Sequence, residues 1–287
     1  MLKADTIKLL RLPFSFFLFP IYLFALSQVP VIDWLKAALI FLIIHFLIYP
    51  ASNAYNSYMD RDTGPIGGLE KPPPPSRQLY LLSIVLDCTA ILLSLFIGWL
   101  FTLVAILYIG ASKAYSYRRV RLKKYPVLSY LVVIIFQGAL SFWLVYSGSN
   151  VDFNAYVPWQ GMLICALLIG GFYPLTQIYQ HQQDLADGVA TISYKLGYRG
   201  TFVFCALIYL LAWVFMAQFF IQIHQVDKLW VIGIFFIPVI VYFIGWYLQV
   251  RKDPNAANFR NTMRMNWLAA CCTNLAFFIL LIWRWFE

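Results

Sequence analysis

The chain has 287 residues, of which 62% are hydrophobic and only 11% are charged, and its mean hydropathy is +0.74. Values this far from those of soluble domains exclude an ordinary water-soluble protein. The formal net charge of +9 would suit nucleic acid as a partner, but the chain carries no nucleic-acid-binding motif, so we expect none. We expect one all-α integral-membrane domain over residues 1–287.

Apolar segments recur along the whole chain, each roughly 18–22 residues long, which is the length that a hydrocarbon core about 30 Å thick requires. The sequence therefore predicts a polytopic protein with nine transmembrane helices. The predicted segments are residues 13–29, 34–56, 78–98, 99–115, 126–147, 158–180, 201–223, 229–249 and 265–284.

The basic residues are distributed unevenly over the predicted loops. If the N-terminus is cytoplasmic, all of the 21 Lys and Arg residues except Lys36, Lys228 and Arg284 fall on the cytoplasmic side. Such an asymmetry sets the orientation of membrane proteins. We therefore expect a protein of the plasma or inner membrane that contacts anionic lipid and has a cytoplasmic N-terminus and cytoplasmic site loops.

A polar stretch, residues 56–76, begins at the end of the second predicted helix. Asn56 and Asp60 are four residues apart and therefore project from one face of a helix, and Asp62 follows them. A Gly-Gly pair, Lys71 and four consecutive prolines complete the stretch. Oxygen ligands beside such a loop suit a magnesium-bound phosphate ester. The alternative, an ordinary helix end with a solvated loop, stays open at this point.

Two further features lie between the third and fifth predicted helices. Asp87 falls inside the third helix; an ionisable residue there is a functional candidate, but its depth favours a protonated or interhelically hydrogen-bonded packing residue. Six Lys and Arg residues then lie between Lys113 and Lys124. They are either an anchor on the cytoplasmic side or a cluster of donors that neutralise phosphate.

A second polar stretch, residues 173–188, ends the sixth predicted helix. If the helix is continuous, Gln177, His181 and Asp184 share one face, and Gln180, Asp184 and Asp187 form an overlapping stripe. Together with the end of the second helix, these faces would form an oxygen-rich cage for Mg²⁺. Mg²⁺ and nearby Lys and Arg side chains would neutralise a leaving diphosphate, and aromatic rings would stabilise the resulting carbocation.

At these residues the chain resembles the UbiA superfamily of intramembrane prenyltransferases. The first motif of that family has the pattern N-D-x-x-D-x-x-x-D, followed by a basic residue and proline; here residues 56–64 read NSYMDRDTG, and Lys71-Pro72 follow. The second motif keeps Asp184, Gly188, Thr191 and Gly197. Residues 115–124 and 11–13 are similar to the family's Tyr-Ser…Arg-Leu-Lys loop and Arg-Pro entry. The resemblance covers essentially the whole chain.

The resemblance implies a nine-helix bundle around a central cavity, with the two motifs on the second and sixth helices. Three positions depart from the family pattern: Ser57, Gly64 and Gln177 stand where the family has aspartate. The fewer carboxylates weaken the case for two fully enclosed Mg²⁺ ions.

The resemblance also implies roles for individual residues. The candidate metal ligands are Asn56, Asp60 and Asp184, with Asp62, Gln177 and Asp187 in support; the candidate diphosphate-binding residues are Arg11, Lys71, Arg121, Lys123 and Lys195; the candidate catalytic residues are Asn56, Asp60, Asp184 and Tyr115.

The function that the resemblance implies is Mg²⁺-dependent transfer of a prenyl group from a prenyl diphosphate to an aromatic or other lipophilic acceptor within the membrane. Two alternatives stay open. The same ionisation could end in cyclisation, as in a UbiA-type terpene cyclase, or the chain could be a non-catalytic binder or transporter of isoprenoid diphosphates, because three carboxylates of the motifs are replaced. No oligomeric state follows from the sequence.

Overall fold

The structure is a computed structural model that describes residues 2–153 and 155–286. Within those residues, nine helices are long and apolar enough to cross a bilayer, as predicted, and the chain is an integral membrane protein. The helices are α1 (Ala4–Gln28), α2 (Trp34–Asp60), α3 (Arg77–Ser94), α4 (Trp99–Ser116), α5 (Pro126–Gly148), α6 (Trp159–Gln177), α7 (Ile192–Gln222), α8 (Val226–Lys252) and α9 (Phe259–Trp283).

Helix α1 is interrupted at Arg11, between the pieces Ala4–Leu9 and Leu12–Gln28. Arg11 has a left-handed backbone conformation, with φ of 50°, and Pro13 lies in the first turn of the second piece, where a missing N–H costs little. The interruption turns the Arg11 side chain into the bundle, where the residue is only 9% exposed. The residues before the first predicted segment therefore form a short helix, which is followed by an inward-facing arginine.

The bundle is closed by contact between its first and last helices. The side-chain amide of Asn274 on α9 donates a hydrogen bond to the carbonyl oxygen of Phe16 on α1 (3.1 Å). On another side of the bundle, α5 approaches α6 closely at Gly138, where a Cβ atom would lie 2.6 Å from the Cα of Ala166. This close approach brings the side chains of α5 and α6 to a shared internal surface.

Asp87 forms an ion pair between α3 and α4. Its carboxylate lies 2.6 Å from the ammonium group of Lys113, which also lies 4.3 Å from the centre of the Tyr55 ring on α2. Lys113 therefore lies in the last turn of α4, within the predicted segment 99–115, and its charge is paired with Asp87. The packing role predicted for Asp87 takes the form of a charged contact among three helices.

We expect Asp87→Ala to destabilise the protein more than the double variant Asp87→Asn/Lys113→Met. The single change leaves Lys113 largely buried without its partner, and breaking a buried pair from one side costs about 3–5 kcal/mol, whereas replacing both partners is often neutral. Thermal midpoints in one detergent would measure the difference. Equal midpoints for the two variants would contradict the pairing.

Candidate active site

A polar cavity of about 190 Å³ lies on the side of the bundle that carries the N-terminus. Side chains from α1, α2, α4, α5 and α6 line it, together with residues of the loops between them. Eight of the residues predicted from the sequence line this cavity: Arg11, Asn56, Asp60, Asp62, Tyr115, Lys123, Gln177 and Asp184. Residues from the two polar stretches are thus brought together across the bundle.

The end of α2 places Asn56 and Asp60 on one inward face. The amide of Asn56 donates hydrogen bonds to the Asp60 carboxylate (2.7 Å) and to the hydroxyl of Ser116 (2.9 Å). The helix ends at Asp60 because Arg61 adopts a left-handed conformation, with φ of 55°. Arg118 donates to the carbonyl oxygens of Met59 (2.8 Å) and Asp60 (3.2 Å), which secures this helix end.

Two cationic side chains, those of Lys123 and Arg11, line the cavity. The ammonium group of Lys123 lies 2.6 Å from the Asp60 carboxylate, and both side chains are buried. Arg11 donates to the carbonyl oxygen of Asn53 (3.3 Å) and, more weakly, to the side-chain oxygen of Asn56 (3.4 Å). Positive charge therefore lies beside the carboxylates, as a site for an anionic group requires.

The second polar stretch is not the continuous helical face that the sequence predicted. Helix α6 ends at Gln177, and a separate short helix, His181–Ala186, follows a turn. The change of direction moves His181 away from the cavity: its ring stacks on Tyr198, and its Nε2 lies 2.8 Å from the Ser193 hydroxyl. Gln177 and Asp184 still reach the cavity, each from its own segment.

Burial and repulsion between carboxylates raise two acidic pKa values. The pKa of Asp184 is raised to about 7, chiefly by burial and further by Asp62 and Asp60, against the opposing effect of Lys123. The pKa of Asp62 is also raised, first by burial and then by Asp60, although its carboxylate accepts a hydrogen bond of 2.5 Å from Gln183. A cation bound among these groups would favour their charged forms.

Four predicted residues lie outside the cavity lining. Asp187 forms ion pairs with Arg118 (3.2 Å) and with Arg121, so it joins the loop after α6 to the loop after α4. Lys71 and Lys195 are exposed. The metal role of Asp187 and the diphosphate roles of Lys71, Arg121 and Lys195 stay predictions. The positions of these residues outside the cavity lining do not favour those roles.

The sequence analysis missed several polar residues of the cavity wall. Tyr108, Ser112 and Ser116 of α4 line the cavity; they are spaced four residues apart, so this helical stripe was detectable in the sequence. Tyr173 of α6 also lines it, and its hydroxyl is hydrogen-bonded to that of Tyr115. That contact joins residues 58 positions apart, and no local pattern predicts it.

The donor set fits a magnesium ion that shares its coordination with phosphate. Among the residues that the structure describes, no three acidic, histidine or cysteine side chains are grouped closely enough to hold a metal alone. Asp60 and Asp184 nevertheless line the same cavity, and the buried side-chain oxygen of Gln177 accepts no hydrogen bond from the described residues. One or two carboxylates completed by substrate phosphate oxygens are the usual Mg²⁺ arrangement.

Comparison with solved structures shows the same fold. A UbiA homologue from Archaeoglobus fulgidus, bound to DMAPP and Mg²⁺, is 19% identical, with a TM-score of 0.70 over 97% of this chain and 99% of that one. The apo UbiA homologue from Aeropyrum pernix K1 is 16% identical, with a TM-score of 0.70 over 96% and 99%. A digeranylgeranylglyceryl phosphate synthase structure is 20% identical, with a TM-score of 0.61 over 96% and 98%.

Comparison with sequences gives the family. No curated protein matches the chain. The sequence model of the UbiA prenyltransferase family, however, matches residues 16–270, a range that includes seven of the nine helices, α2 to α8, in full and about half of α1 and of α9. The chain belongs to the UbiA prenyltransferase family.

Proposed function

We propose that the protein transfers a prenyl group from a prenyl diphosphate to an aromatic or other lipophilic acceptor within the membrane, with Mg²⁺ as cofactor. The observation that carries the proposal is the meeting of Asp60, Asp184, Lys123 and Arg11 in one cavity at the end of apolar helices. Structures of the Archaeoglobus fulgidus homologue hold DMAPP or GPP together with Mg²⁺, which supports a prenyl diphosphate as the donor class.

Each polar group would have a distinct part in binding the donor. Asp60, Asp184 and the free oxygen of Gln177 would hold Mg²⁺, which supplies positive charge to the phosphate oxygens. Lys123 and Arg11 would donate hydrogen bonds to the same phosphates, and charge-assisted bonds of this kind are about twice as strong as neutral ones. Because these donors are buried in place beforehand, they favour the charge that develops on the leaving diphosphate.

The wall beyond the phosphates would stabilise the organic cation. The allylic carbon–oxygen bond breaks with its electron pair leaving on the diphosphate, and the acceptor supplies the pair for the new bond and loses a proton. Tyr108, Tyr115, Phe136 and Tyr173 line the cavity, and an aromatic face attracts a cation by about 0.5–2 kcal/mol. Their bulk also excludes water that would hydrolyse the cation.

The same aromatic wall supports cyclisation as a second candidate function. A carbocation held against rings could be attacked by a double bond of its own chain instead of by an acceptor. The two functions share the ionisation step and the residues that promote it. They differ in whether a second substrate is consumed.

We also propose that the cavity opens to the cytoplasm and that the protein lies in the plasma or inner membrane. All but three of the 21 Lys and Arg residues lie on the cavity's side of the bundle when the nine helices alternate in direction. This charge distribution favours a cytoplasmic location for that side.

Pyrophosphate release from a panel of prenyl diphosphates, with the protein in nanodiscs, tests the proposed function. We expect release that requires Mg²⁺ and an added pool of aromatic and other lipophilic acceptors. Release without an acceptor, together with a new cyclic terpene, would support the cyclase instead. No release with any donor, metal or acceptor would contradict both candidates and favour a non-catalytic binder.

A further inference from the structure

The polar cavity extends from its carboxylates deep into the bundle, where Gln137 of α5 forms part of the wall. Gln137 follows Pro126, the first residue of α5, by about three turns, or roughly 16 Å. The next residue, Gly138, packs against Ala166 of α6, and Ala166 precedes the end of α6 at Gln177 by the same distance. Because a hydrocarbon core is about 30 Å thick, both helices place the Gln137 amide near the middle of the bilayer.

The side-chain amide of Gln137 has no hydrogen-bond partner among the residues that the structure describes. The hydroxyl group of Ser141, one turn further along α5, is already donated to the carbonyl oxygen of Phe136 (3.0 Å) and lies 3.1 Å from the hydroxyl of Tyr49. An amide at this depth without a partner is costly, and polar residues kept there are usually functional. The unpartnered amide therefore indicates a polar ligand that binds at this end of the cavity.

The backbone around Gln137 also has the features of a binding site. Gln137 lies in a π-helical segment of α5, Ile134–Leu140, and such segments are rare and occur frequently at functional sites. The close approach of Gly138 to Ala166 fixes this segment against α6. The amide is therefore held in position before a ligand arrives, which lowers the entropic cost of binding.

The charges of the cavity wall indicate an uncharged ligand at this depth. The charged residues that line the cavity all lie near the helix ends at its other end; they are Arg11, Asp60, Asp62, Lys123 and Asp184. The other α5 residues of the wall are uncharged: Val132, Val133 and Phe136. An anionic group beside Gln137 would have no cationic partner, whereas an amide both donates a hydrogen bond to a hydroxyl group and accepts one from it.

We propose that Gln137 binds the hydroxyl group of an uncharged lipophilic acceptor, a phenol or an alcohol, at the membrane-embedded end of the polar cavity. The inference rests on the proposed function and adds the class of acceptor and a residue that selects it. Lys123 and Arg11 hold the diphosphate at the opposite end, so an acceptor anchored at Gln137 lies beyond the allylic carbon. It can reach that carbon without displacing the diphosphate.

A single water molecule shares the hydroxyl chemistry, but this end of the cavity suits it less. Buried waters typically make about three hydrogen bonds. The Gln137 amide would supply at most two of them, and the Ser141 hydroxyl is already engaged. An acceptor needs only the contact with the amide, because its apolar remainder would pack against the rings of Tyr108 and Phe136 in the cavity wall.

Removing the amide provides the first test. Gln137→Leu abolishes the contact, and Gln249→Leu makes the same change at an exposed position of α8 outside the cavity. Thermal stabilisation in nanodiscs would measure binding of 4-hexylphenol and of hexylbenzene, with Mg²⁺ and a saturating non-hydrolysable analogue of geranyl diphosphate. We expect Gln137→Leu to weaken binding of the phenol about threefold to tenfold, the contribution of one neutral hydrogen bond, and to spare hexylbenzene. Gln249→Leu should match the parent protein with both probes.

The stability of the ligand-free protein provides the second test, because it separates a binding role from a structural one. Gln137→Leu should not lower the thermal midpoint, since the amide has no partner to lose. Gln137→Met keeps the length of the side chain and gives the same readouts if the branched leucine disturbs packing. A lower midpoint for both variants would show that the amide stabilises the fold and would overturn the inference.

The charge of the probe provides the third test. The anion 4-hexylbenzoate should bind the parent protein more weakly than 4-hexylphenol does, because the wall around Gln137 offers it no cation. Tighter binding of the benzoate would overturn the assignment of an uncharged acceptor.

The outcomes separate this inference from the proposed function. Acceptor-dependent pyrophosphate release, with no preference of the parent protein for 4-hexylphenol over hexylbenzene or with the same preference in Gln137→Leu, would overturn only the inference. A terpene alcohol formed without an acceptor by the parent protein, and replaced by a hydrocarbon in Gln137→Leu, would assign the amide to water and would also overturn it. Failure of the parent protein to release pyrophosphate with any donor or acceptor would overturn the proposed function and the inference together.

Discussion

Replacing Asp184 by asparagine is expected to reduce Mg²⁺-dependent pyrophosphate release by about 10²–10³-fold, the loss that follows removal of one preorganised charge-stabilising group. The Asp184 carboxylate accepts no hydrogen bond from the described residues. Burial and the nearby carboxylates of Asp62 and Asp60 raise its pKa and so disfavour its ionised form. The substitution therefore removes the charge that we assign to the metal without removing a hydrogen bond. The thermal midpoint should stay near that of the parent protein.

Asp187→Asn is the matched control for this experiment. Asp187 lies three residues further along and outside the cavity, in ion pairs with Arg118 and Arg121. Release by this variant should stay within a few-fold of the parent rate. Near-normal release by Asp184→Asn, with its Mg²⁺ dependence intact, would contradict the metal assignment.

Replacing Lys123 by methionine is expected to impair both stability and activity. The change leaves the buried Asp60 carboxylate without its ion-pair partner at 2.6 Å, and breaking such a pair from one side costs about 3–5 kcal/mol. It also removes a cation that we assign to the leaving diphosphate, so pyrophosphate release should fall about 10²–10³-fold.

The double variant Asp60→Asn/Lys123→Met separates the two effects. With both charges gone, the unpaired carboxylate disappears, and the thermal midpoint should recover most of the loss seen in Lys123→Met alone. Activity should not recover, because the carboxylate that we assign to the metal and the cation that we assign to the phosphates are both absent. A double variant as unstable as Lys123→Met would show that packing of the lysine stem, and not its charge, stabilises the site.

Length and periodicity were sufficient for the coarse architecture. Nine apolar segments predict nine helices because a bilayer imposes a minimum length on each, and the structure confirms all nine within its described residues. Polar residues at helical spacing identified both stretches that meet in the cavity. Asn56 and Asp60 lie on one face as their spacing requires, and Gln177 and Asp184 reach the same cavity.

The sequence by itself could not determine which charges meet, because each pairing joins separate helices whose apolar surfaces look alike. A lysine or arginine side chain is long and flexible, so its position in the chain leaves its partner undetermined. Lys123 reaches Asp60, and Lys113 is held by Asp87. Arg121 is engaged by Asp187, and Lys71 and Lys195 are exposed.

The break after Gln177 was also decided by tertiary structure. Helical periodicity continues through residues 177–184 in the sequence, yet the chain turns there. His181 packs against Tyr198, and Gln180 donates a hydrogen bond to the carbonyl oxygen of Pro65 (3.0 Å). These contacts outweigh the local preference for a continuous helix.

Composition, length and charge thus determined the class of protein and its number of helices, because those properties depend on the bilayer and on residue type. Tertiary packing alone decided which cation meets which carboxylate and where the chain turns between Gln177 and Asp184. The sequences of helices that are apolar on all sides do not specify how neighbouring helices align. That alignment decides which side chains meet.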